Sequence, residues 1–372
     1  MVEINHHTAG TIATGSPSGR AIRIEWGQPD RSVAPLPASE AARALGDAAS
    51  QIKDQLGRRI VGMGDVVDHV LIGLFSGGHC LLVGVPGLAK TLLVSSLAEL
   101  LSLDFARIQF TPDLMPSDIT GAEVLIEDRA SRARRFEFMK GPIFAHLLLA
   151  DEINRTPPKT QSALLEAMEE RQVTSAGRKH ALEAPFFVLA TQNPIEQEGT
   201  YPLPVSQTDR FMFKVVVDYP TFDEEYRLLR LTVSRAPRAL DRVLDRTRIL
   251  QLIGAVRALD IDRPVLEYAT RLTRAARPGA DASSEVRDWV QWGPGPRGVQ
   301  YTILGAKARA LLHGRHRVLP EDVRAVLPAT LRHRLLLNYH AEVDGITTNH
   351  VIAHLLERVS APDRRAPSMA AR

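Results

Sequence analysis

Cysteine is nearly absent: Cys80 is the single one in 372 residues. An intramolecular disulfide is therefore impossible, and a multi-cysteine zinc site is excluded. Aromatic residues make up only 5%. That argues against an aromatic-rich sheet protein and against modules that bind nucleic acid by base stacking. No uninterrupted apolar run reaches the ~18 residues of a membrane span. The first 30 residues carry Glu3, His6, His7, Arg20, Glu25 and Asp30 with no apolar centre. No secretory signal is expected from such a segment, and a cytoplasmic location is the expectation.

What is present is ordinary for a globular protein: 44% hydrophobic and 24% charged residues in 41.0 kDa. At roughly 150 residues per domain, two to three domains are expected. The net charge of +3 hides an asymmetry, −5 over residues 1–220 and +8 over 221–372. A basic half reads either as a nucleic-acid footprint or as a solvated, arginine-rich helical surface.

Residues 1–38 mix Gly, Ser, Pro and Thr without periodicity and read as a flexible N-terminal arm. Ser39 is a candidate N-cap for the helical run that follows. Within 39–220, short apolar runs (HCLLVG, FARIQF, HLLLA, FFVLAT, FKVVV) alternate with helical segments. This pattern predicts an α/β core, a parallel sheet covered by helices on both faces. Two insertions interrupt it: 122–140, with alternating flanks around an arginine-rich tip, and 171–185, a hairpin with a Ser-Ala-Gly turn. Residues 221–360 read as an all-α domain, with helices at about 222–233, 247–258, 264–276, 297–313 and 320–331 and no strand runs. A frayed tail follows from Ala361.

The chemistry begins at Gly84-Val85-Pro86-Gly87-Leu88-Ala89-Lys90-Thr91. The order apolar strand, glycine-bearing turn, Lys-Thr, helix fits a phosphate loop. Its backbone N–H groups would cradle phosphate oxygens at the helix N-terminus. Lys90 would reach the β- and γ-phosphates, and the Thr91 hydroxyl would bind Mg²⁺. Ala89 stands where the strict pattern has glycine, which is tolerable if its dihedrals are already helical. Taken alone, the run could also be a plain strand–turn–helix connection with an incidental Lys-Thr.

The strand 146–150 ends in Asp151-Glu152. Carboxylates at the C-terminal end of a parallel strand lie where ligands bind. Asp151 suits a hard cation such as Mg²⁺. Glu152 suits the base that polarises an attacking water. The strand 186–191 runs into Gln192-Asn193-Pro194, where the Asn193 amide could bond that water or a γ-phosphate, or simply make a turn.

In this order, GVPGLAKT, LLLADEINR, ATQNPIEQEGTYPLPVSQTDRF and WGPGPRG resemble the MoxR family of AAA+ ATPases, over roughly residues 45–345. The resemblance implies a P-loop core followed by a helical lid. Lys90 and Thr91 would be Walker A, and Asp151 and Glu152 Walker B. Asn193 would be sensor 1, Arg210 an arginine finger for a neighbouring subunit's nucleotide, and Arg297 sensor 2. Ile60, Val61 and Gly62 resemble the segment that packs near the adenine. The two insertions resemble the helix-2 insert and the pre-sensor 1 hairpin. Met63, Ala89, Val205 and Gly295-Pro296 depart from the family pattern without removing a charged catalytic group. The role of Arg155 stays open between a local and an inter-subunit one.

The resemblance further implies ATP and Mg²⁺ as cofactors and a homo-oligomeric, hexameric ring doing chaperone-like work on protein clients, among them a von Willebrand factor A-domain protein. A nucleic-acid motor is the alternative, suggested by the basic half and by Arg129, Arg132, Arg134 and Arg135; a magnesium-chelatase-like subunit is another. His313, His316, His333 and His340 show no ligand spacing and are expected to be solvated or capping. Trp289 and Trp292 are expected to pack in the lid core.

Overall fold

Five apolar segments form one parallel sheet: β1 (Cys80–Gly84), β2 (Phe105–Gln109), β5 (Leu147–Asp151), β8 (Phe187–Gln192) and β9 (Phe213–Val217), in the order β2-β5-β8-β1-β9. The structure, a computed structural model, describes residues 33–362 except Pro86, 128–133, Ala176, 196–198 and 235–238. Most of the expected arm, the insert tip with Arg129 and Arg132, and the tail beyond Pro362 therefore lie outside the described residues.

The strands feed two apolar layers because successive side chains point to opposite faces. Cys80, Leu82, Leu147, Leu149, Phe187 and Leu189 enter one. Leu81, Leu148, Ala150, Val188 and Ala190 enter the other. The first layer is covered by α1 (Ala38–Leu56), α2 (Gly64–Ser76) and α3 (Lys90–Leu101), the second by α4 (Pro116–Thr120) and α5 (Pro158–Glu170). Each fully buried Leu contributes ~1.5–3 kcal/mol. Gly84 is fixed by close approach: a Cβ there would lie 2.4 Å from the Val217 carbonyl oxygen of β9.

Both insertions are antiparallel hairpins, β3 (Gly121–Glu127) with β4 (Arg134–Lys140) and β6 (Gln172–Ser175) with β7 (Arg178–Ala181). The second turns at Gly177, φ 77°. Between β8 and β9 lies the short α6 (Val205–Thr208).

The rest is mainly helical: α7 (Phe222–Ser234), α8 (Arg246–Ala258), α9 (Arg263–Ala275), α10 (Ser284–Trp289), α11 (Pro296–Leu312), α12 (Pro320–Leu331), α13 (Tyr339–Val343) and α14 (Thr348–Arg358). Leu252, Leu272, Ala306, Leu311 and Leu327 belong to the same apolar layer as α1 to α3, so lid and sheet domain share one core.

Four expectations change. The first helix begins at Ala38 with Pro37 as N-cap, because Leu36 already packs on the core and anchors the chain before Ser39. The lid is not free of strands: β10 (Val290–Trp292) pairs antiparallel with β11 (Leu336–Leu337), runs too short to show periodicity. Trp289 packs against the core as expected, whereas Trp292 is 68% exposed. The register shifts between Val290 and Trp292, so the two side chains do not share a face. His333 is buried rather than solvated, and burial, reinforced by Arg334, holds it well below the usual histidine range. No cluster of three or more His, Cys, Asp or Glu residues able to hold a metal occurs among the described residues.

Candidate active site

At the carboxyl ends of β1, β2, β5 and β8 opens a cleft of about 470 Å³. In open parallel sheets this is where ligands bind. The loop after β1 and the start of α3 form one wall: Gly87, Leu88, Ala89, Lys90, Thr91 and Leu92. Gly87 has φ 83°, a conformation that glycine adopts at no cost. Ala89 has φ 50° and ψ 22°, left-handed rather than helical, so the condition for a harmless alanine is not met. A methyl-bearing residue in that region costs about 1–2 kcal/mol. Pro86 lies outside the described residues.

Lys90 Nζ donates to the carbonyls of Gly84 at 2.8 Å and Val85 at 3.1 Å. Gly84 and Val85 thus hold the ammonium at the mouth of the strand. Burial lowers the Lys90 pKa, and the nearby Asp151 and Glu152 charges oppose that shift.

The opposite wall carries the acidic pair. Asp151 Oδ1 accepts from Thr191 Oγ1 at 2.6 Å, and Oδ2 accepts from Arg107 Nη2 at 2.7 Å and Nε at 3.3 Å. Glu152 follows in a left-handed turn, φ 57°, and its backbone N–H donates to Thr191 Oγ1 at 2.8 Å. That turn aims the side chain into the cleft, where Oε2 accepts from Gln109 Nε2 at 2.7 Å and Arg155 Nη1 at 3.1 Å. Gln109 in turn accepts from Arg107 Nη2 at 2.7 Å. Asn193 is buried at the end of β8 and lines the cleft, with Oδ1 accepting from the Ile195 N–H at 3.1 Å.

Arg107, Gln109 and Thr191 were not singled out from the sequence. A signal exists for two of them: Arg107 and Gln109 are polar residues at alternate positions of a strand that otherwise reads as buried, and both are exposed to the cleft. Arg155 serves a local role here, as a donor to Glu152.

Three expected residues and two arginines stand apart from the cleft lining. Ile60, Val61 and Gly62 lie between α1 and α2; Gly62, φ 78°, sits against the Glu224 carboxylate of α7. Arg210 pairs with Glu169 of α5 at 3.0 Å. Arg297, at the start of α11, pairs with the same Glu169 and with Asp209 at 3.4 Å. One carboxylate therefore gathers both arginines.

A phosphate loop, an acidic strand end and a helical lid on a β2-β5-β8-β1-β9 sheet define an AAA+ ATPase. The family model described as "ATPase family associated with various cellular activities (AAA)" matches residues 79–213, and that described as "AAA lid domain" matches 282–355. The chain is 43% identical over 310 residues to Chaperone MoxR1 of Mycobacterium tuberculosis, covering 83% of this chain and 81% of that one. It is 30% identical to Protein MoxR of Methylorubrum extorquens, over 78% of this chain and 88% of that one. The crystal structure of a candidate ATPase from Cytophaga hutchinsonii superposes with a TM-score of 0.81 at 39% identity, covering 88% of this chain and 98% of that one. The chain belongs to the MoxR family of AAA+ ATPases and is an ATP-hydrolysing enzyme.

Proposed function

We propose that the chain hydrolyses ATP with Mg²⁺ at the subunit interfaces of a homo-oligomeric ring, a hexamer, and uses the cycle to remodel or assemble partner proteins. The observation that carries this reading is the separation of charges. Lys90, Asp151 and Glu152 line one cleft, while Arg210 and Arg297 sit together on Glu169 away from it. Hydrolysis needs cationic charge on the γ-phosphate. Arginines placed off their own cleft supply it to the next subunit's nucleotide.

Within one cleft, the loop N–H groups and Lys90 bind the phosphates. The Thr91 hydroxyl and the Asp151 carboxylate are hard oxygen donors and fit Mg²⁺. Bound there, the ion would neutralise phosphate charge and orient the β- and γ-oxygens. Glu152 polarises the water, and the Asn193 amide orients it. Gln109 and Arg155 fix the Glu152 carboxylate in a ready position. Arg107 occupies one Asp151 oxygen and must yield it or share it.

The chaperone reading rests on the MoxR1 relative's name. The family resemblance adds a von Willebrand factor A-domain protein as partner, and a cytoplasmic setting suits a chain whose single cysteine, Cys80, allows no intramolecular disulfide. The deciding experiment pairs ATPase rates with light scattering for wild type, Lys90→Ala, Glu152→Gln and Arg210→Ala. Turnover is expected to vanish in the first two. Arg210→Ala should retain ATP binding and lose at least about 10³-fold in kcat. A fully active monomer overturns the interface mechanism.

A further inference from the structure

The turn that bears Arg210 has its N–H groups bonded within the sheet domain, to the carbonyls of Val205, Gln207, Thr208 and His79, and its own carbonyls bonded from the lid. Arg334, just beyond α12, is 2% exposed. Its Nε donates to Asp209 Oδ1 at 2.8 Å, and its Nη2 to the carbonyls of Asp209 and Phe211, each at 2.7 Å. Its Nη1 reaches the Met212 carbonyl at 3.3 Å and also the Thr330 carbonyl in the last turn of α12. Tyr301 of α11 donates its hydroxyl to the Arg210 carbonyl at 3.3 Å, and its ring lies 5.2 Å from the Arg334 guanidinium. Arg332 Nη1 caps the Lys214 carbonyl at 3.1 Å. The carbonyls of residues 209, 210, 211 and 212 are thus all taken by lid side chains. Asp209, bonded by Arg334, is also the second partner of Arg297.

We propose that Arg334 is a positioning residue for catalysis at the neighbouring subunit: it ties the lid to the 209–212 turn, so that the lid's placement sets where Arg210 and Arg297 point. Only a planar guanidinium can span a carboxylate and several carbonyls at once. With four peptide oxygens engaged from the lid and four N–H groups from the sheet domain, the turn is the joint between the two and responds to how the lid sits on the sheet. Lid displacement is thereby converted into finger displacement, and a shift of about 1 Å at such a group costs on the order of 10²-fold in rate. The inference rests on the reading of Arg210 as a finger acting in trans.

The test mixes full-length subunits. Glu152→Gln has a dead cleft and an intact finger. Arg334→Lys keeps the charge but offers one nitrogen for the acceptors now bonded by three. Tyr301→Phe removes only the hydroxyl on the Arg210 carbonyl, and decides the matter should Arg334→Lys fail to fold. Arg334→Lys is expected to lose at least about tenfold in kcat and Tyr301→Phe severalfold, with KM for ATP within twofold of wild type in both. Mixed one to one with Glu152→Gln, each should regain activity per intact cleft, since about half of the intact clefts then face an intact finger in a random head-to-tail ring. Arg210→Ala mixed with Glu152→Gln is the control. If Arg210→Ala is rescued while neither lid variant loses kcat, or while a variant that loses it is not rescued, the positioning role is wrong. If Arg210→Ala itself is not rescued, the trans-finger reading falls first, and this inference with it.

Discussion

Ala89 shows what a single Cβ does in a phosphate loop. Its φ of 50° puts a methyl where glycine is at ease, at the residue before Lys90. Removing the methyl relieves about 1–2 kcal/mol, offset by about 0.5–1 kcal/mol of added freedom in the unfolded chain. Ala89→Gly is therefore expected to be neutral to about 1.5 kcal/mol stabilising, whereas Ala89→Val should lose a further ~1–2 kcal/mol because a β-branched side chain suits that region least. Urea midpoints compare them, and equal midpoints for both variants would show that the loop carries no strain. Arg107 poses a second residue-scale question, because its guanidinium holds Oδ2 of the Asp151 carboxylate that is proposed to bind Mg²⁺. Arg107→Gln should lower the Mg²⁺ concentration for half-maximal ATPase severalfold, by removing a like charge from the ion's site. A rise in that concentration would mean that Arg107 organises the carboxylate instead of blocking it.

Which residues were legible in the sequence follows from how their chemistry is distributed. The roles proposed for Lys90, Thr91, Asp151 and Glu152 rest on contiguous runs whose strand or helix context is itself local. Arg107 and Gln109 meet their carboxylates across 44 and 43 residues, and Arg334 meets Asp209 across 125. Those meetings depend on strand order and lid docking, which no local pattern encodes. The same holds for Arg297: the motif located it on the lid, and only its ion pair with Glu169 of α5 puts it beside Arg210.

At the scale of elements, the sheet is bound to its helices partly through one buried imidazole. His79 precedes β1; its Nδ1 accepts from the Val188 N–H of β8 at 3.0 Å, and its Nε2 lies 3.3 Å from the Met168 carbonyl of α5. Only the neutral Nε2–H tautomer satisfies both, since a proton on Nδ1 would face the Val188 N–H. Burial, with Arg171 adding to it, lowers the pKa to about 3. The unfolded chain binds this proton near pH 6.5 and the folded chain does not. Stability from His79 is therefore complete above the unfolded value and is lost as pH falls from about 6.5 towards 3. At pH 5 the loss is about 2 kcal/mol for this one group. His333, also shifted downward, adds in the same direction. Chemical denaturation from pH 7 to pH 5 should show the decline, and His79→Gln should reduce its slope by about one proton. An unchanged slope in that variant would assign the acid lability elsewhere.

The fold of the whole chain is coarser information than the site, and much of it was readable. Five apolar runs gave the strands, and the change of charge near Tyr219 marks the passage from sheet to lid. The strand pair β10–β11 and the helices α10 and α13 were not, because each is too short to show a period; α14 was missed although its buried Val351, Ile352 and Leu355 recur at helical spacing. What the single chain leaves exposed also bears on assembly. Phe222, Tyr226 and Leu229 recur on one face of α7 and are 81%, 56% and 59% exposed, with Tyr219 before them at 72%. Side chains of that size, clustered and solvated, mark an interaction surface. The proposed finger geometry demands a second copy of this chain, and α7, which follows β9 and meets Gly62 through Glu224, presents an exposed apolar face to it. A second copy is accordingly the occupant this face suits. Phe222→Glu should leave the melting transition within about 0.5 kcal/mol of wild type, because nothing buried is removed. It should abolish the ring in light scattering and make the residual ATPase rise with protein concentration. A variant that still forms full-sized rings with normal turnover would remove α7 from the interface and leave the hairpins and the rest of the lid as the surfaces between subunits.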